Sequence, residues 1–112
     1  MANTYLTLDI STANLSMHDW DVVEEAAACD GDDAASRESW MPRCVQHGYG
    51  AFINVPDRES FDDDEWEERQ RNLAAHAPSL HALLEYARSL GCRWINVDRD
   101  ADTDDTLPFY DW

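Results

Sequence analysis

Three short segments of this chain alternate apolar and polar residues, and none has two apolar faces. In residues 5–10, Leu6, Leu8 and Ile10 fall on one side and Tyr5, Thr7 and Asp9 on the other. In residues 49–55, Ala51, Ile53 and Val55 oppose Phe52 and Asn54. In residues 93–98, Ile95 and Val97 oppose Trp94, Asn96 and Asp98. A period of two marks strands. A single apolar face per strand calls for helices on one side of the sheet only.

The segments between them carry helical periods. Trp20, Val23 and Ala27 predict a helix over residues 18–28, and Ser16-Met17-His18-Asp19 resembles a capping box with Asp in place of Glu. Residues 29–33 read as a loop. Residues 36–46 are ambiguous and accommodate a short helix interrupted by Pro42, with Gly48 ending it. Ser60-Phe61-Asp62-Asp63 is a second capping-box-like start. The helix after it has Trp66, Gln70, Leu73 and Ala74 as its stripe and Glu65–Arg69 and Glu67–Arg71 as i,i+4 pairs. Pro78 breaks it. A third helix sets Leu80, Leu83, Leu84, Ala87 and Leu90 on one face and His81, Glu85 and Arg88 on the other, and Gly91 stops it. The order β-α-(α)-β-α-α-β predicts one α+β domain over residues 1–112. Its small three-stranded sheet is covered on one face by three or four helices. The other sheet face carries Tyr5, Thr7, Asp9, Phe52, Asn54, Trp94, Asn96 and Asp98.

Charge bounds the function. The 112 residues hold 24 acids and 8 bases, every base an arginine, for a net charge of -16. Solubility asks a small domain for a magnitude of only about 2 to 8. The excess repels itself and opposes compaction, yet the 44% apolar content is that of a folding chain. Such a surface argues against direct contact with nucleic acid or anionic lipid. It argues for a basic protein partner. Adaptation to high salt is a second reading of the same charge. Cys29, Cys44 and Cys92 form no CxxC pair, which fits a reduced, cytoplasmic protein. No stretch has transmembrane length, and the N-terminal residues do not read as a signal peptide.

The acids gather in two places. Asp62, Asp63, Asp64, Glu65, Glu67 and Glu68 fill the start of the second clear helix, where the helix dipole favours them. Asp98, Asp100, Asp102, Asp104 and Asp105 follow the last strand. Helix neighbours three or four apart lie about 5–6 Å from one another, and phosphates along one DNA strand advance about 3.4 Å each. Carboxylates on a rigid element therefore reach a charge density of DNA-like order. The ordinary meaning of a charge run is a solvated face.

Other chemistry is weaker. Asp98-x-Asp100-x-Asp102-x-Asp104 has the spacing of a calcium loop, but Thr103 stands where the turn needs Gly and Phe109 where a Glu closes the site. Cys44-x-x-His47 is half of a zinc site with no visible second half. No Gly-rich phosphate loop, GxSxG or HExxH is present. The expectation is a protein with no catalytic residues, no metal and no cofactor.

The last residues, Leu107-Pro108-Phe109-Tyr110-Asp111-Trp112, place three aromatics where a frayed end is small and polar. They are expected to dock on the body with Trp94, to hold the acidic loop and to cover part of the open sheet face. Together with Leu8–Leu15 and His47–Phe52, this ending resembles a family of small uncharacterised acidic proteins of bacterial mobile elements and phages that often end in Tyr-Asp-Trp. The resemblance implies a context of countering host restriction or CRISPR defence. The expected function is a non-enzymatic anti-CRISPR or anti-restriction inhibitor that occupies the basic DNA channel of its target by DNA mimicry. The alternative is an adaptor that binds a partner through Tyr5, Phe52 and Trp94.

Overall fold

The computed structural model describes residues 6–28, 40–102 and 105–110. The elements run β1 (Leu6–Ser11), a 3-10 turn (Thr12–Asn14), α1 (Met17–Ala28), β2 (Cys44–His47), β3 (Gly50–Asn54), a second 3-10 turn (Arg58–Ser60), α2 (Asp63–His76), α3 (Pro78–Ser89) and β4 (Cys92–Asp98). The α+β class is that expected. The sheet has four strands rather than three, in the order β1-β4-β3-β2. β1 runs parallel to β4, and β3 is antiparallel to both β4 and β2.

The added strand is β2, in part of the segment read as a helix broken by Pro42. Cys44 pairs with Ile53 and His47 with Gly50, so Gly48 and Tyr49 form a two-residue hairpin connection rather than a helix stop. At the sheet edge only Cys44 of β2 is fully buried, so apolar alternation is nearly absent from it. The first part of the ambiguous stretch 36–46, residues 36–39, lies outside the described residues, as do the loop 29–33, Tyr5 and Trp112.

One apolar face is buried under α1 and α3. Ile10, Ile53, Ile95 and Val97 are fully buried with Leu15, Val23, Leu80 and Leu83. Leu6 departs from expectation and is 62% exposed. A bulge after Leu6 pairs it with Cys92 but Thr7 with Trp94, at the end of an edge strand. α3 ends as its sequence requires: Gly91 takes φ 78, the left-handed conformation that glycine adopts without strain.

The three helix termini nearest one another are joined by polar groups. Ala77, at the N-cap of α3, offers no side-chain cap. Asp19 of α1 supplies one: its Oδ2 accepts the Ser79 N–H at 2.7 Å, the Leu80 N–H at 3.1 Å and the Ser79 hydroxyl. The Ser16 hydroxyl accepts the Asp19 N–H at 3.2 Å, which is half of the expected capping box. The other half is absent because the Asp19 side chain turns to α3. His18 Nε2 donates to the carbonyl of His76, the last residue of α2, at 2.9 Å. Trp40 stacks on the His76 ring, centroids 5.3 Å apart.

Candidate functional site

α2 packs through Trp66, Gln70 and Leu73, and Ala74 of the expected stripe is exposed instead. Its N-cap is Asp62, not Ser60; the Asp62 Oδ1 accepts the Glu65 N–H at 2.8 Å. Trp66 fixes the rotation of the helix. Arg88 lies 4.6 Å from its ring centroid, Arg58 5.5 Å, and Phe61 packs beside it at 5.8 Å. Among the described residues the expected Glu65–Arg69 ion pair is not seen, and Arg69 lies over the Phe61 ring at 4.5 Å.

With Trp66 inward, the acids face out. Asp62, Asp63, Asp64, Glu65, Glu67 and Glu68 are all exposed. Among the described residues only Asp63 of this set is in an ion pair, with Arg58. Asp62 and Asp63 thus serve the helix start, while Asp64, Glu67 and Glu68 present their charge to solvent.

The second cluster begins where β4 ends. Asp98 is half-buried and turns the chain: its Oδ1 accepts the Asp100 N–H at 2.8 Å, and its carbonyl accepts the Ala101 N–H. The Arg99 N–H donates to the Tyr49 carbonyl, tying the loop to the β2–β3 hairpin. Asp100, Asp102 and Asp105 are exposed, and Asp104 lies outside the described residues. The two clusters are not one patch. Arg88 and Arg93 place the start of α2 beside the start of β4, whereas Asp98 is at its end. Seven residues of strand, each rising about 3.3 Å, put Asp98 about 20 Å from that end of β4.

The described part of the C-terminal segment docks through backbone groups and Leu107. The Tyr110 N–H donates to the Ala13 carbonyl at 2.8 Å, Asn14 Nδ2 donates to the Pro108 carbonyl at 3.1 Å, and Leu107 packs on the core. Phe109 is 63% exposed. Residues 106–110 lie along the Thr12–Asn14 turn and Tyr86 of α3, not across the open sheet face. Truncation after Leu107 removes two hydrogen bonds worth about 1 kcal/mol each. The melting temperature should fall by about 5–10 °C. An unchanged thermal melt would remove the tail from the fold's support.

The open face carries a polar chain that sequence reading missed. His47 Nδ1 accepts the Tyr49 N–H at 3.2 Å, so Nε2 bears the proton and donates to Asn96 Oδ1 at 2.8 Å. Asn96 Nδ2 donates in turn to Asp9 Oδ1 at 3.1 Å. Both ring nitrogens are engaged, so the chain reads as a brace across the sheet. Phe52 packs against His47 at 4.8 Å and is 39% exposed. The zinc reading fails here: Cys44 is buried toward the helices, whereas His47 lies on the open face with Asn96. Among the described residues no three His, Cys, Asp or Glu are placed to hold a metal, and no helix is long and apolar enough to cross a membrane.

Residues 7–112 match the C-terminal domain of a family of unknown function, DUF5983. The chain belongs to this family. No curated protein and no solved structure matches it. Membership in the DUF5983 family covers every element above, and the surfaces alone carry the functional argument.

Proposed function

We propose that this DUF5983 domain binds a basic protein surface through the outer face of α2. In this reading the partner is a nucleic-acid-binding protein of host defence, a CRISPR effector or restriction enzyme, and the acidic face occupies its DNA channel. The observation that carries the reading is the state of Asp64, Glu67 and Glu68. They are exposed on a helix whose rotation Trp66 fixes, and among the described residues no cation pairs with them. Because the helix is held in one rotation, a partner's arginines need order only these side chains and not the backbone that carries them. The exposed acids Asp100, Asp102 and Asp105, which follow the far end of β4, extend the interface for a partner wide enough to reach both.

The test is capture from a host lysate at low and then high salt, with Asp64→Arg, Glu67→Arg and Glu68→Arg combined as the variant. Each opposite-charge pair in a desolvated interface is worth about 1 kcal/mol or more, so abolishing three should lower affinity at least about 100-fold. Surface positions of this kind change stability by about 0.5 kcal/mol or less each. Capture that survives both the triple reversal and high salt would rule the assignment out.

The open sheet face, which carries Phe52 and Trp94, supports a second reading, an adaptor that docks a partner there. Phe52 remains 39% exposed with no chain segment of the described residues laid over it. Aromatic docking is far less sensitive to ionic strength than acidic pairing. Phe52→Ala should then abolish salt-resistant capture while leaving the α2 reversal without effect.

A further inference from the structure

The arginines are as unevenly placed as the acids. Of the eight in the chain, Arg43, Arg58, Arg69, Arg88 and Arg93 line two adjoining grooves around Pro56 and Asp57, at the end of the sheet where β4 begins. The larger groove has a volume of about 340 Å³, and its wall includes Val55, Pro56, Arg58, Arg88, Gly91 and Arg93. That volume is in the range of small-ligand sites, about 300–1,000 Å³.

Within this groove the three guanidinium groups are in different states. Arg58 is paired with Asp63, and Arg93 with Asp57 at 3.6 Å. Arg88 is half-buried, its Nε donates to the Pro56 carbonyl at 3.4 Å, and its plane lies over Trp66. Among the described residues neither of its terminal nitrogens donates to a protein oxygen, and no carboxylate forms an ion pair with it. Burial lowers its pKa from the ordinary arginine value, against the opposing pull of Glu85 and Asp57. Its terminal N–H groups are reachable from the groove, and its planar fork matches a carboxylate in two parallel hydrogen bonds.

The surroundings decide which oxyanion. Asp57 and Glu59 also line the groove, and the chain carries -16 overall. The net negative field of the chain opposes a dianionic phosphate more than a monoanion, and the Arg88 guanidinium offers a fork that the two oxygens of a carboxylate fill. Val55, Pro56, Gly91 and Cys92 leave the rest of the wall apolar in character. We propose that the groove beside Arg88 binds a monoanionic carboxylate carried on an apolar body, with Arg88 gripping the carboxylate and the Val55–Pro56 wall receiving the body. Two sources share this chemistry, a small carboxylic acid and the C-terminal carboxylate of a peptide.

The probes are 4-phenylbutyrate, its uncharged amide, inorganic phosphate, and a short peptide ending in leucine with a free or amidated terminus. Binding is read from the Arg88 Nε–H and Gly91 amide signals by NMR titration. Phenylbutyrate and the free-acid peptide should shift both signals, and neither amide should. The tighter of the two acids identifies the source. Arg88→Lys should weaken binding at least about tenfold, because the ammonium cannot match the carboxylate fork. Glu59→Gln, at an exposed position, should tighten it about threefold by removing a screened repulsion. If Arg88→Lys fails to fold, the Glu59→Gln titration decides alone. No shift at about 10 mM probe, ten times a weak millimolar Kd, overturns the proposal. Equal shifts by acid and amide, tighter binding of phosphate, or a Glu59→Gln titration unchanged or weaker would overturn it as well.

Discussion

Asp19→Ala should destabilise the fold by about 3–4 kcal/mol, as much as truncating a large core side chain. The residue is fully buried, and one oxygen serves three donors at the start of α3. An N-cap alone is worth about 0.5–2 kcal/mol. Here the same carboxylate also satisfies a buried hydroxyl and ties α1 to α3. Its removal leaves Ser79 and Leu80 N–H groups without that acceptor, in a place water reaches poorly. Two effects oppose each other. The Asp19 Oδ1 is buried without a partner, so the folded protein already bears a desolvation penalty that the mutation removes. The positive end of α3 and three donors outweigh it, since charge-assisted hydrogen bonds contribute about 1.5–3 kcal/mol each before compensation. Asp19→Asn keeps one acceptor and loses the charge, and should cost about half as much. Urea unfolding of both variants measures the difference. A loss below about 1 kcal/mol for the alanine variant would mean that α1 and α3 are held by apolar packing alone.

Gly50→Ala comes next, at about 3 kcal/mol or more, near or above the usual upper end for overpacking. A Cβ at Gly50 would sit 1.8 Å from the Val97 carbonyl oxygen and 2.8 Å from its carbon. Both are backbone atoms of the neighbouring strand, so no side chain can rotate aside. The hairpin must move away from β4, and with it the Tyr49 carbonyl that holds the Arg99 N–H. The melting temperature should drop by about 10 °C or more. The Asp98–Asp102 turn should also show faster amide exchange. Gly48 is the internal control: a Cβ there meets nothing within 4 Å, so Gly48→Ala should be close to neutral. Equal melts for the two variants would contradict the close approach of Gly50 to β4.

The difference between what the sequence shows and what it hides is visible in particular residues. α3 was legible because Leu80, Leu83, Leu84 and Ala87 repeat at helical spacing between Pro78 and Gly91, and all four are buried. β4 was legible for the same reason at period two. β2 was not, because a short edge strand with one buried residue has no period to read. The acids on α2 were legible as a run, and their exposure follows from Trp66 and Leu73 taking the inner face. Asp19 was legible only as the last residue of a capping box on its own helix, not as the cap of α3. The one available signal was indirect: Ala77-Pro78 opens α3 without a capping side chain, so a cap had to come from elsewhere. The arginine grooves gave no signal, since Arg43, Arg58, Arg69, Arg88 and Arg93 come from five different stretches of chain.

The chain's order of residues by itself determined where apolar faces lie and which charges cannot be buried, because both follow from local period and from the penalty for desolvating a carboxylate. That was enough for an α+β fold with one covered sheet face and acids on the outside. Tertiary structure alone decided the rest. It set β1 against β4, placed the two acidic clusters toward opposite ends of β4, turned Asp19 inward, and gathered scattered arginines around Pro56. Those outcomes depend on which elements meet, and pairing between distant segments is fixed by the packing of the whole core rather than by any window of sequence.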